Sequence, residues 1–143
     1  MVEVVADACG TPGDATDADC WSDEASNKAY GPYPSTTGVS TDITLSNGKD
    51  NTAILAGLGG GYDAAEYCAN LPDGGYDWYL PSYAELWDGY NAPAMSGGFP
   101  SAYYWSSTES SASPGSDAWL LRTFNNDMYS YGKNTNCDVR CLR

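Results

Sequence analysis

Two helix-start signatures, Asp63-Ala-Ala-Glu66 and Ser82-Tyr-Ala-Glu85, stand close together, and neither helix has room to run far. Both carry the spacing of a capping box, in which a side-chain oxygen accepts from a free first-turn N–H while the glutamate reaches back. After the first, Tyr67, Cys68 and Leu71 repeat at helical spacing until Pro72 and the Gly74-Gly75 pair end the run. After the second, which follows Pro81, Leu86, Trp87 and Tyr90 make one apolar face. Asp77-Trp-Tyr-Leu80 between them reads as a short extended link. Helices this short are held by packing rather than propensity, so the remaining chain must supply a surface for them. Their aromatic stripes read as core.

That surface is a sheet in the last third. Ala102 to Thr108 carries Tyr103, Tyr104 and Trp105. Asp117 to Phe124 sets Ala118, Leu120, Arg122 and Phe124 on one face and Trp119, Leu121 and Thr123 on the other, the pattern of a strand covered on both sides. Cys137 to Arg143 alternates in the same way. Val39 to Leu45 reads as an upstream strand, and Asn125 to Asn136 as a polar, turn-forming connection. The order is strand, two helices, antiparallel sheet, an α+β arrangement. With 12 Tyr, 5 Trp and 16 Gly against 2 Phe, it is loop-rich rather than a bundle.

A chain of 143 residues is one ordinary domain. No apolar run of about 18 residues spans a membrane. Nineteen acids against six bases give −13, which disfavours nucleic acid and anionic lipid, since both require neutralising positive charge. Histidine is absent, which removes Ser-His-Asp and Cys-His catalysis and histidine metal sites.

Residues 1–38 form an irregular acidic segment packed on or flanking the domain at 39–143. Seven acids fall in the first 24 residues, and no basic leader precedes them. Trp21, Tyr30 and Tyr33, or a local Cys9–Cys20 bridge, hold this segment down. Asp14, Asp17 and Asp19 lack the spacing of an EF-hand loop and read as solvated turns, so no metal and no cofactor is expected. Five cysteines leave one unpaired, and spacing alone does not fix the pairing. Such cysteine use suits an oxidising setting, secreted or at the cell surface.

Asp77-Trp-Tyr-Leu-Pro-Ser82 followed by Glu85-Leu86 resembles the signature of the Legionella collagen-like protein C-terminal domain family. Tyr104-Trp-Ser-Ser-Thr108, Ala118-Trp119 with Phe124, and Val139-Arg-Cys-Leu-Arg143 resemble its later motifs in the same order. Gly48-Lys49, Asn51-Thr52 and Ala64-Ala65…Cys68 resemble its opening ones. The resemblance covers residues 39–143 and implies a C-type lectin fold: two helices on a twisted antiparallel sheet, with the termini brought together. Within that frame Trp78, Trp105 and Trp119 meet beneath the helices, and Cys68 pairs with Cys141. Arg140 pairs with a carboxylate such as Glu85 or Asp77.

Binding in such folds sits on the C-terminal half. Asn125 to Asn136 holds four of the nine asparagines, with Tyr129 and Tyr131, which a turn does not require. Rigid tyrosines among short reorientable polar groups are the chemistry of an adaptable binding face. More narrowly, the chain resembles the variable proteins of diversity-generating retroelements, in which miscopied adenines diversify Asn codons. Asn125, Asn126, Asp127, Tyr129, Tyr131, Asn134 and Asn136 are all reachable outcomes, and so is the odd Cys137. The expected function is non-enzymatic display of a surface for a protein or glycan ligand. An adhesin or carbohydrate-binding module is the alternative, although the Glu-Pro-Asn, Gln-Pro-Asp and Trp-Asn-Asp motifs of calcium lectins are missing. Formylglycine-generating oxidases share the superfold, but no activating partner stands beside Cys137 or Cys141 in the sequence.

Overall fold

The computed structural model describes residues 8–143 apart from Ser96. The acidic start, residues 1–7, lies outside the described residues. Among those described are three α-helices, α1 (Gly48–Ala56), α2 (Asp63–Ala69) and α3 (Tyr83–Asn91). Five strands accompany them: β1 (Ala25–Ala29), β2 (Tyr103–Glu109), β3 (Asp117–Arg122), β4 (Asp127–Gly132) and β5 (Asn136–Val139). The architecture is α+β, with one sheet in the order β1-β5-β2-β3-β4.

The sheet is mixed, not antiparallel. β2 and β5 run parallel, joined at Tyr104 and Asp138, while every other neighbouring pair is antiparallel. β5 follows β4 after three residues without reversing, so it keeps the direction that β4 shares with β2. The polar stretch 125–136 is likewise not a plain connection, because β4 occupies its middle. Val39 to Leu45 is not a strand: the Asp42 carboxylate accepts from the Thr44 N–H at 2.9 Å and hydroxyl at 2.6 Å and closes a turn there. Ile43 and Leu45 are exposed.

Three helices stand where two are expected. α1 escapes an apolar-periodicity reading because its buried face is Gly48, Asn51, Thr52 and Leu55. Polar bonds hold it. The Thr52 hydroxyl donates to Gly48 O at 2.7 Å and accepts from the Leu80 N–H at 2.9 Å. α3 has the full capping box expected at Ser82 and Glu85. α2 does not: Asp63 is already inside the helix, Tyr62 is the cap, and no side chain closes it. Asp63 and Glu66 instead place negative charge in the first turn, which the helix dipole favours.

Both faces of the sheet are covered. On one, Leu55, Ala64, Ala65 and Cys68 of α1 and α2 pack with Trp105 and Leu120. On the other, Leu86 of α3 packs with Trp21, Tyr104, Leu121 and Leu142. β3 therefore sends Leu120 one way and Leu121 the other, as its pattern requires. Trp105 is fully buried, and its Nε1 donates to Lys28 O at 3.0 Å and Thr135 O at 3.2 Å. Trp78 donates to Asp73 O at 2.8 Å at the rim of the same core. Trp119 does not join them. Its neighbours Ala118 and Leu120 face α1 and α2, so Trp119 points the other way, half-buried and edge-on to Tyr83 at 5.2 Å.

Two disulfides close the frame. Cys9–Cys20 spans 11 residues, and Cys68–Cys141 spans 73, tying α2 to the chain beyond β5. The ends of the described chain meet: the Gly13 N–H donates to Arg143 O at 2.8 Å, and Leu142 bridges both Trp21 and Tyr79. Arg140 pairs with neither Glu85 nor Asp77. Its Nε donates to Ser22 O at 2.8 Å and its Nη1 to Gly98 O, while the guanidinium lies 5.0 Å from the Phe99 ring centre. Glu85 is occupied elsewhere, accepting from the N–H groups of Gly48 at 2.9 Å and Ser82 at 3.0 Å and from the Tyr79 hydroxyl at 3.0 Å. Gly48 permits that approach, since a Cβ there would lie 2.6 Å from Glu85 Oε1.

Candidate functional site

The hairpin of β3 and β4 carries five of the seven residues singled out for binding, Asn125, Asn126, Asp127, Tyr129 and Tyr131, while Asn134 and Asn136 lie beyond it. Six consecutive residue pairs join its strands, from Asp117 opposite Gly132 to Arg122 opposite Asp127. Tyr129 lies across from Leu120 and Tyr131 across from Ala118, so both tyrosines share one face. Each is more than two-fifths exposed, at 42% and 45%, and their ring centres are 6.0 Å apart.

Arg122 organises this face. Its Nε and Nη2 form a fork on the Asp127 carboxylate, at 2.9 and 2.6 Å, while its guanidinium carbon sits 4.0 Å from the Tyr129 ring centre. The hydrogen bonds from Arg122 hold the Asp127 carboxyl below the usual carboxylate range. Asp127 is thus half-buried and engaged, a support for the face more than a free contact. Tyr103 of β2, opposite Arg122, adds a third exposed ring and packs edge-on to Phe124 at 6.1 Å. Tyr103, Leu120, Arg122, Tyr129 and Tyr131 enclose a cavity of about 170 Å³. With its charge spent on Asp127, Arg122 leaves this hollow aromatic and nearly neutral.

The selected residues do not form one patch. Asn125 and Asn126 are exposed in the turn that opens β4, where the Asn126 side chain accepts from the Tyr90 hydroxyl and its φ is 53°. Asn134 and Asn136 are exposed at the far end, about 20 Å away at some 3.4 Å per strand residue. Cys137 is not a surface position. It is 5% exposed, in the core beside Trp105, because β5 alternation turns it inward from exposed Asn136. Burial, aided by Asp138, pushes its thiol up to about 12. Cys141 is held in a disulfide, so the two form no free dithiol.

Sequence reasoning missed Tyr103, Arg122 and Phe124 as parts of this face. The available signal was the alternation of β3, which sets Arg122 and Phe124 on the side opposite Leu121. It also missed Lys133, the one wholly buried residue of the stretch, whose Nζ donates to the Glu109 carboxylate. Asp14 and Asp17 use their carboxylates on local turns, accepting from Thr16 at 2.6 and 3.0 Å and from Gly10 and Asp19 at 3.1 and 3.0 Å. A larger cavity of about 400 Å³ lies elsewhere, between Tyr76, Tyr79, Lys49 and Arg143, and holds none of the selected residues.

Neither a family model, nor a curated protein, nor a solved structure matches this chain.

Proposed function

We propose that this chain is a non-enzymatic ligand-binding domain of C-type lectin fold, a variable protein of the kind that diversity-generating retroelements alter. One observation carries the reading. Asn125, Asn126, Tyr129, Tyr131, Asn134 and Asn136 are all exposed, while Lys133 among them in the chain, and Trp105, Cys137 and Val139 of β2 and β5, are buried. Apart from Asp127, which Arg122 engages, the side chains that would change are therefore separate from those that hold the backbone. The lectin-fold reading draws further support from the meeting of the chain ends and from the disulfide joining α2 to the C-terminal segment. Affinity in such a surface comes from a few aromatic anchors, here Tyr103, Tyr129 and Tyr131, with asparagines around them.

The test is a library varied at Asn125, Asn126, Asp127, Tyr129, Tyr131, Asn134 and Asn136, displayed and selected against several unrelated proteins. The reading expects folded members to dominate and distinct binders to emerge for distinct targets. Collapse of most members, or binders that are all unfolded, contradicts it.

The tyrosine-lined hollow favours a second reading, a calcium-independent carbohydrate module that stacks a sugar ring between Tyr103 and Tyr129. A glycan array with and without chelator separates the two, since this reading requires a defined sugar set unaffected by chelator. Either way the protein acts outside the reducing cytosol, as its disulfides suit.

A further inference from the structure

The two edges of the sheet are built differently. β1, at one edge, is broken by a register shift between Ala25 and Lys28, carries Asn27 at φ 59°, and has Lys28 one residue before its end. Bulges, unusual backbone and lysine are the devices by which sheets prevent further strands from adding. β4, at the other edge, has none of them. Its six pairs with β3 run without a shift, and it contains neither proline nor lysine.

The direction of its free groups follows from the ladder. The Lys133 N–H donates to Ser116 O at 2.9 Å, one step beyond the Asp117–Gly132 pair. In an antiparallel ladder bonded pairs alternate, so residues 131, 129 and 127 bond inward to β3, and Met128, Ser130 and Gly132 aim N–H and C=O outward. Gly132 O already accepts from the Thr135 N–H at 3.1 Å, on that outer side. Among the described residues no strand follows β4 in the sheet order. Met128 and Ser130 thus present a free row of donors and acceptors, flanked on one face by Tyr129 and Tyr131.

We infer that β4 takes up an extended, basic polypeptide segment as a sixth strand, with main-chain bonds to Met128 and Ser130 and an apolar side chain in the Tyr103–Tyr129–Tyr131 hollow. This rests on the proposed binding role of the β4 face and names its mode and partner. Strand addition draws its affinity from main chain and its selectivity from alternate side-chain pockets. That mode survives replacement of the side chains, which a varied surface requires. The charge of −13 selects the occupant: it attracts a basic segment and opposes a second copy of this chain.

The probe is a capped octapeptide of alternating Val and Lys, titrated into the intact oxidised protein at low salt. Three comparisons accompany it: the Val-Glu analogue, the Val-Lys peptide N-methylated at alternate valines, and the Ser130→Pro variant. Proline there removes an outward N–H and no bond to β3; Ser130→Ala is the control, and near-UV circular dichroism verifies folding. The expected result is binding of the Val-Lys peptide at least tenfold tighter than the Val-Glu peptide. Methylation or Ser130→Pro weakens it at least tenfold, and Ser130→Ala leaves it unchanged. Absence of binding, equal binding of the methylated peptide, or binding that ignores Ser130→Pro overturns the inference. So does a dimer in sedimentation that Ser130→Pro dissociates, which assigns the edge to a second copy. Tyr129→Ala with Tyr131→Ala tests the aromatic display reading separately: peptide binding that persists there and still depends on Ser130 supports the edge and removes the tyrosines.

Discussion

Lys133 Nζ donates to the Glu109 carboxylate with the two side chains 0% and 3% exposed. The lysine enters the core from the turn after β4, passes 5.5 Å from the Tyr30 ring centre, and also donates to Ser35 O at 3.0 Å. The Thr37 hydroxyl takes the other Glu109 oxygen. A charge inside the fold thus anchors the far end of a stretch that has no other buried residue. Removing one partner of a buried pair strands the other, at about 3–5 kcal/mol, whereas replacing both with apolar groups restores much of it. Lys133→Met is expected to lose that much in urea unfolding, and Lys133→Met with Glu109→Leu to regain most of it.

Trp105→Ala is expected to cost about 3–5 kcal/mol, as truncation of a large buried aromatic does. The ring is fully buried, and its Nε1 ties β1 to the turn before β5. Trp119→Ala is expected to lose clearly less, because that ring is half-buried and its Nε1 has no partner among the described residues. Paired denaturant titrations compare them.

The bridges give a covalent prediction. Native protein is expected to take no iodoacetamide, unfolded but unreduced protein one, at Cys137, and reduced protein five. Intact mass reads each count. On the chain-entropy account, losing the long Cys68–Cys141 closure costs about 4 kcal/mol and the short Cys9–Cys20 closure about 3 kcal/mol.

Alkali should unfold the protein through its buried phenols. Burial raises Tyr104 from the ordinary 10 to about 12, and raises Tyr30 and Tyr79 as well. Between about pH 10 and 12 the unfolded chain has released phenolic protons that the folded chain retains. The stabilisation is therefore complete below pH 10 and falls as pH climbs toward 12. Chemical denaturation at pH 9, 10 and 11 checks this, with tyrosinate absorbance appearing as the fold is lost.

How far the sequence foretold this molecule depended on whether apolar spacing carried the element. β3 was legible because Leu120 and Leu121 face opposite cores, and α3 because Ser82 and Glu85 form the cap their spacing describes. α1 and β1 were not, since Asn51 and Thr52 face inward through hydrogen bonds and Ala-Ser-Asn-Lys-Ala has no apolar period. Arg140 was misassigned because its guanidinium donates to backbone carbonyls beside aromatic rings, and the carboxylates whose charge it feels are Glu24 and Asp23, not Glu85 or Asp77. Within the candidate site, the exposed tyrosines were visible. The hold of Arg122 on Asp127 and Tyr129, and the inward turn of Lys133, emerge only from strand register.

The central claim is that this framework carries side chains meant to change. Sequencing the coding locus across many cells of the source population tests it most directly. The account predicts that substitutions concentrate at the codons of Asn125, Asn126, Asp127, Tyr129, Tyr131, Asn134 and Asn136, at adenine positions, while those of Trp105, Lys133 and Cys137 stay fixed. A locus that is uniform at those seven codons, or whose differences are spread evenly along the gene, contradicts it.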